Sequence, residues 1–164
     1  MARYRFVTEM RFGAAIDAVY DVIVRPEGWV ADWGDAVSVE REAAGDRDGV
    51  GGRFAATVRA PAGYRLSATI ETVEAERPFR LRMLASGDLE GDGVWDLRAG
   101  PVGTDVRFAW DVEATPTWMH LLTPVARPLF EWSHGVVMRN ATDAAAAHLG
   151  TEVLAFRSGP QRRS

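Results

Sequence analysis

The sequence predicts an α+β domain: a curved, seven-stranded antiparallel sheet wrapped around a long C-terminal helix, with two short helices between the first two strands. Three observations predict it. Apolar and polar side chains alternate at period two in segment after segment, the mark of half-buried strands. The links between those segments are short and rich in Pro and Gly, which makes neighbours into antiparallel hairpins. Near the end the period becomes helical, and that helix supplies the layer that a one-sided sheet needs.

The first strand sets Tyr4, Phe6, Thr8, Met10 and Phe12 against Arg3, Arg5, Glu9 and Arg11. A helical pattern follows, with Ile16, Val19, Tyr20 and Ile23 on one stripe and Asp17 near the positive end of the dipole. Pro26 and Gly28 stop it, and Trp29 to Trp33 form the second short helix. Weaker strands are expected at Val37–Arg41 and Leu89–Leu97. Clear ones carry Phe54, Ala56 and Val58, then Tyr64, Leu66, Ala68 and Ile70. A further one carries Phe79, Leu81, Met83 and Ala85, and the last carries Val106, Phe108, Trp110 and Val112. Turns at Ala60–Gly63, Glu76–Pro78 and Gly100–Gly103 separate them.

The glycines Gly87, Gly91 and Gly93 precede no helix and are read as bends or bulges that let a sheet curl, not as a phosphate loop. The long helix is expected from about Leu129 to Leu149. Its apolar face carries Phe130, His134, Val137, Ala141, Ala144, Ala145 and His148, the last read as a capping or solvent group near the helix end; Glu131, Arg139, Thr142 and Asp143 fall largely on the other. Residues 1–157 read as one ligand-binding domain and 158–164 as a flexible tail.

Composition narrows the function classes. The chain has 164 residues, no cysteine and a net charge of −4, and all 19 basic residues are arginine. Disulfides, thiolate catalysis and cysteine metal sites are excluded, as are Schiff-base and phosphate-binding lysines. The arginines are scattered among acids, without the basic stripe of a nucleic-acid binder. The three histidines lie far apart, with no pair at metal-ligand spacing, so neither a metal nor a cofactor is expected. No apolar run approaches the roughly 20 residues of a membrane span. The N-terminus enters the first alternating pattern without the apolar stretch of a signal peptide, so a cytoplasmic protein is expected.

The order of elements and several local patterns resemble the START-like superfamily with the helix-grip fold, also called SRPBCC or Bet v 1-like. The residues that carry the resemblance are Trp29 to Trp33, Gly49 to Gly52, Gly87 to Trp95, Thr104 to Trp110, and Arg127 to His134 at the head of the last helix. It extends over about residues 3–150. It implies an internal cavity for a hydrophobic ligand, and the superfamily includes polyketide cyclase/dehydratases and lipid-transport proteins.

The candidate ligand-binding residues are the inward side chains of strands and helix. Phe54, Tyr64, Leu66 and Ile70 come from the first hairpin, Met83 and Trp95 from the next two strands, and Phe108 and Trp110 from the last. The helix adds Phe130, His134 and Met138. Bulky aromatics on the strands and alanines on the helix favour a cavity; a packed core without ligand is the competing reading. His134 titrates in a range suited to proton transfer, and Tyr64 offers a hydroxyl, so these two are the catalytic candidates. A neutral histidine hydrogen-bonded to a backbone carbonyl or a neighbour is the alternative for His134. His120 is expected at a cavity mouth or on the surface. Asp96 and Glu90 have the opposite parity to Trp95 and should point outward. Trp118 to Leu122 reads as a lid over one end of the cavity or as a dimer contact.

The favoured function is binding or transport of a hydrophobic small molecule such as a lipid, polyketide or isoprenoid, with enzymatic activity left open. One alternative is a cyclase/dehydratase-like enzyme using His134 or Tyr64 as proton shuttle. The other is a protein-interaction module using the exposed Trp/Met segment. The protein is expected as a monomer or homodimer, without nucleic acid or integral membrane association.

Overall fold

The computed structural model describes residues 2–30 and 36–161. β1 (Ala2–Phe12) leads into α1 (Ile16–Val24) and a 3-10 turn at Pro26–Gly28. Then follow β2 (Val37–Ala44), β3 (Gly52–Arg59), β4 (Arg65–Glu76), β5 (Arg80–Gly87), β6 (Leu89–Gly100) and β7 (Gly103–Ala114). The chain ends with α2 (Thr117–Leu121), α3 (Thr123–Leu149) and β8 (Val153–Pro160). All strands join one antiparallel sheet in the order β2-β3-β4-β5-β6-β7-β1-β8.

The alternation explains the two faces. Tyr4, Phe6, Met10, Leu81, Met83, Leu97, Val106 and Val112 are buried on the concave side. Their neighbours form an outward layer of ion pairs: Arg3 and Arg5 with Asp111, Arg82 with Asp92 and Glu74, Arg80 with Asp96, and Arg11 with Asp105. Such exposed pairs each contribute at most about 1 kcal/mol. Asp96 is held in this layer and Glu90 is exposed, both on the side that their parity predicts.

The sheet bends at defined places. Register shifts occur at Arg41/Ala43, at Thr72/Glu74 and at Arg11/Phe12. Gly91 has φ 153°, and a Cβ there would run into the carbonyl oxygen of Asp111 on β7. Gly93 serves differently: a Cβ would sit 2.7 Å from the Trp110 ring and 3.0 Å from that of Phe108. The missing side chain lets these two rings lie across β6 on the concave side.

α3 lies along β1. Its Phe130 ring is 4.3 Å from Tyr4 and 5.7 Å from Phe6, His134 stacks on Phe6 at 3.9 Å, and Thr142 reaches Met10. At the other end Gly150 takes the left-handed conformation that ends the helix, and the Thr151 N–H returns to the Ala146 carbonyl.

Four expectations are corrected. The sheet has eight strands, because the chain after α3 pairs with the free edge of β1; Ser158–Pro160, expected in a tail, are the end of β8. α3 starts at Thr123, six residues before Leu129, because Pro124 sits at the helix start where its missing N–H costs nothing. Phe79 lies in the turn before β5 and is 53% exposed instead of facing inward. On α3 Thr142, expected on the outer face, turns inward. Thr142 is buried, its hydroxyl donating to the Met138 carbonyl at 2.7 Å, while His148 is exposed in the last turn. Residues 31–33 of the second short helix expected at Trp29 to Trp33 lie outside the described residues.

Candidate functional site

Two adjoining pockets lie between the concave sheet and α3. The larger, about 240 Å³, is walled by α1, the turn at Pro26 to Val30, β2, β3 and the second half of α3. The smaller, about 170 Å³, lies between β3, β4, Leu89, Trp110 and the first half of α3. Ala56, Val58 and Val137 border both. Ile70, Trp95, Trp110, Val137 and Met138 are only half-buried although they point inward, because they face this space.

Ten of the eleven candidate residues line the pockets. Phe54, Met83, Trp95 and Met138 belong to the larger; Tyr64, Leu66, Ile70, Trp110, Phe130 and His134 belong to the smaller. Phe108 borders neither. It lies between Trp95, stacked at 4.0 Å, and Trp110 at 5.5 Å, and so supports both rings from the side.

Sequence reasoning missed the turn at Pro26 to Val30 and β2 as walls of the larger pocket, and two further contributions. α1 supplies Val19, Val22 and Ile23 to the larger pocket; the amphipathic stripe through Val19 and Ile23 was a usable signal. Ser133 lines the smaller pocket one residue before His134, and a small polar residue there gives no periodic signal.

The polar groups concentrate in the smaller pocket. Tyr64, Ser67, Ser133 and His134 line it, whereas the larger pocket has the Thr142 hydroxyl and the Trp29 indole, both hydrogen-bonded, and the Trp95 indole. Ser133 Oγ, His134 Nε2, Trp95 Nε1 and the Tyr4 hydroxyl are buried without a hydrogen-bond partner. Unpartnered buried polar atoms are rare in folded proteins and ask for an explanation. The neighbour-bonded histidine expected as the alternative for His134 is therefore not found at Nε2.

Burial, with no carboxylate beside it, pulls the His134 pKa from 6.5 down to about 4, so the imidazole is neutral at pH 7. Its residual exposure is to the pocket that it lines, not to bulk solvent. Burial raises the Tyr64 phenol above its usual value, partly countered by Ser133; Ser133 Oγ is near enough to favour the phenolate but completes no well-aligned hydrogen bond. Burial likewise raises Tyr4, over whose ring the Arg127 guanidinium sits at 4.8 Å.

α2 packs at the Tyr64 end. Trp118 lies 5.5 Å from the Tyr64 ring, and Met119 is fully buried among Tyr4, Phe6, Leu66 and Phe130. Leu121, Leu122 and Val125 beyond it are exposed. His120 sits in α2, half-buried, and borders neither pocket. Among the described residues no group of His, Asp and Glu could hold a metal ion, and no helix is long and apolar enough to cross a membrane.

This geometry has counterparts among solved structures. A protein from Thermus thermophilus superposes with a TM-score of 0.68 at 22% identity, over 90% of this chain and 99% of its own. The di-domain ARO/CYC protein BexL gives a TM-score of 0.70 at 18% identity, over 92% of this chain and 51% of BexL. The di-domain ARO/CYC protein StfQ, from the steffimycin biosynthetic pathway, gives 0.64 at 14% identity, over 90% of this chain and 52% of its own. The chain shares the helix-grip fold of these structures. It spans about half of each di-domain protein. No family model matches the sequence, and no curated protein matches it. At these identities the likeness is one of fold.

Proposed function

We propose that this helix-grip chain binds a hydrophobic small molecule in the paired pockets under α3. The observation that carries the reading is the half-buried inward face: Trp95, Trp110, Ile70, Val137 and Met138 keep accessible surface where a packed core would have none. Covering that surface with an apolar ligand contributes roughly 25 cal/mol per Å². Together the two volumes reach the range of roughly 300–1,000 Å³ usual for small-molecule sites. Native mass spectrometry of the purified protein, followed by denaturing extraction, tests the reading. An apolar adduct that Trp110→Ala displaces supports it. A clean unliganded mass, with no thermal shift against a panel of lipids and aromatic polyketides, refutes it.

A second reading is cyclase-like catalysis. It draws on the ARO/CYC neighbours and on a His134 that is neutral at pH 7 beside the Tyr64 phenol. One nitrogen of a neutral imidazole carries a lone pair, so His134 could take a proton from a bound polyketide. Turnover of a linear polyketide that survives both His134→Phe and Tyr64→Phe would remove this role.

A further inference from the structure

We infer that the paired pockets select an uncharged ligand with one polar end, its hydroxyl or carbonyl meeting Tyr64, Ser133 and His134 and its apolar body filling the larger pocket. The inference rests on the binding reading above and names the ligand class.

Charge is the first argument. Among the described residues, no Asp, Glu or Arg lines either pocket. His134, the one titratable imidazole there, stacks against the Phe6 ring and has no carboxylate beside it. A carboxylate or phosphate entering this space would lose its hydration and find no cation. Isolated buried charges are the most strongly disfavoured groups in a protein interior.

Asymmetry is the second. The larger pocket is bounded mainly by apolar side chains; its Thr142 hydroxyl is already given to the Met138 carbonyl and its Trp29 indole to the Val22 carbonyl, which leaves Trp95 Nε1 as its one unpartnered polar side-chain atom among the described residues. The smaller pocket gathers Tyr64, Ser133 and His134 on facing elements, the first leading into β4 and the others on α3. Ser133 Oγ and His134 Nε2 have unused hydrogen-bonding capacity. A hydroxyl both donates and accepts, and a small turn of the Ser133 or Tyr64 hydroxyl lets it serve either partner. A polar end therefore gains most in the smaller pocket, and the body is left to the larger one through the shared border at Val58 and Val137.

Three probes of one skeleton test this: 4-cyclohexylphenol, cyclohexylbenzene and 4-cyclohexylbenzoate. Affinity is read by NMR titration, and orientation by NOEs from the bound ligand to the protein. The expected result is that the phenol binds about tenfold or more tighter than the hydrocarbon, one net hydrogen bond's worth. The benzoate should bind weaker than either. Cyclohexyl protons should contact the Met83 and Met138 methyls, and phenol-ring protons Tyr64 and His134. Tyr64→Phe and His134→Phe keep the rings, and Ser133→Ala is a smaller change still. Each should cut phenol affinity more than hydrocarbon affinity, so that the phenol-to-hydrocarbon ratio falls, and retained hydrocarbon binding shows the variant is folded. Equal affinity for phenol and hydrocarbon, tighter benzoate binding, or reversed NOEs overturns the inference while leaving the binding reading intact. Binding by none of the three, the hydrocarbon included, counts against the binding reading itself and takes the inference with it.

Discussion

Replacing His134 by Phe should flatten the acid limb of the stability curve. In the unfolded chain a histidine takes up a proton as pH falls through 6.5, whereas buried His134 resists until about 4. Between those values the unfolded state holds more protons, so stability falls as pH falls. Above 6.5 both forms are neutral and His134 adds no pH dependence. A tenfold difference in proton affinity is worth about 1.4 kcal/mol, so the full span amounts to about 3 kcal/mol, most of it lost by pH 4.5. The groups that face the ring do not titrate in this window: Phe6 stacks on it, and the phenols Tyr64 and Tyr4 are raised by burial. The assay is urea unfolding of both proteins from pH 7.5 to 4.5. Exposed carboxylates, His120 and His148 are common to both and cancel in the difference. The stability gap should shift by about 2–3 kcal/mol in favour of the Phe variant over this range. Parallel curves would show that His134 is charged or solvated in the folded state, and the burial argument would fail.

Other outcomes follow from packing. Gly93→Ala puts a methyl 2.7 Å from the Trp110 ring and should cost about 1–3 kcal/mol in urea unfolding, with a shifted Trp110 indole NMR signal. Leu81→Ala, at a fully buried site, should cost about 2–5 kcal/mol in the same assay. Tyr20→Phe removes the hydroxyl that donates to the Asp48 carbonyl at 2.7 Å and should cost about 1 kcal/mol. In contrast, Asp111→Asn, which breaks the exposed pairs with Arg3 and Arg5, should change stability by about 1 kcal/mol or less.

Much of this architecture was legible because strand parity is a local signal. Tyr4, Phe6 and Met10, or Leu81 and Met83, announce their face by alternation alone, and the structure buries each of them. What failed did so where another force decides. β8 has little alternation, since it is an edge strand held by backbone pairing to β1, and its Gly159 and Pro160 look like loop residues. The helix starts earlier than two apparent breakers suggest: Pro124 lies in the first turn, where its missing N–H costs nothing, and Pro128 lies inside the helix, which forgoes one backbone hydrogen bond there. Phe79 continues the alternation of β5 on paper, but it belongs to the turn and points to solvent. Within the pockets the aromatic walls were legible by parity. Ser133 was not, because its importance comes from which side of α3 it occupies and not from its type.

α3 is strapped at both ends. Near its start Phe130 lies against Tyr4 and Arg127 donates to the Arg3 carbonyl; at its finish Ala144 to Ala146 pack with Met10 and Phe12, and the chain turns straight into β8. A rod on two supports works as a beam and not as a lever. Its height above the sheet is set by those two anchor points, so the room beneath its middle depends on the side chains that hang there. Val137, Met138 and Ala141 hang between the anchors and line the larger pocket. Enlarging Ala141 to Val or Leu would lower the ceiling of the larger pocket without moving the beam, so one codon suffices to retune what fits beneath it.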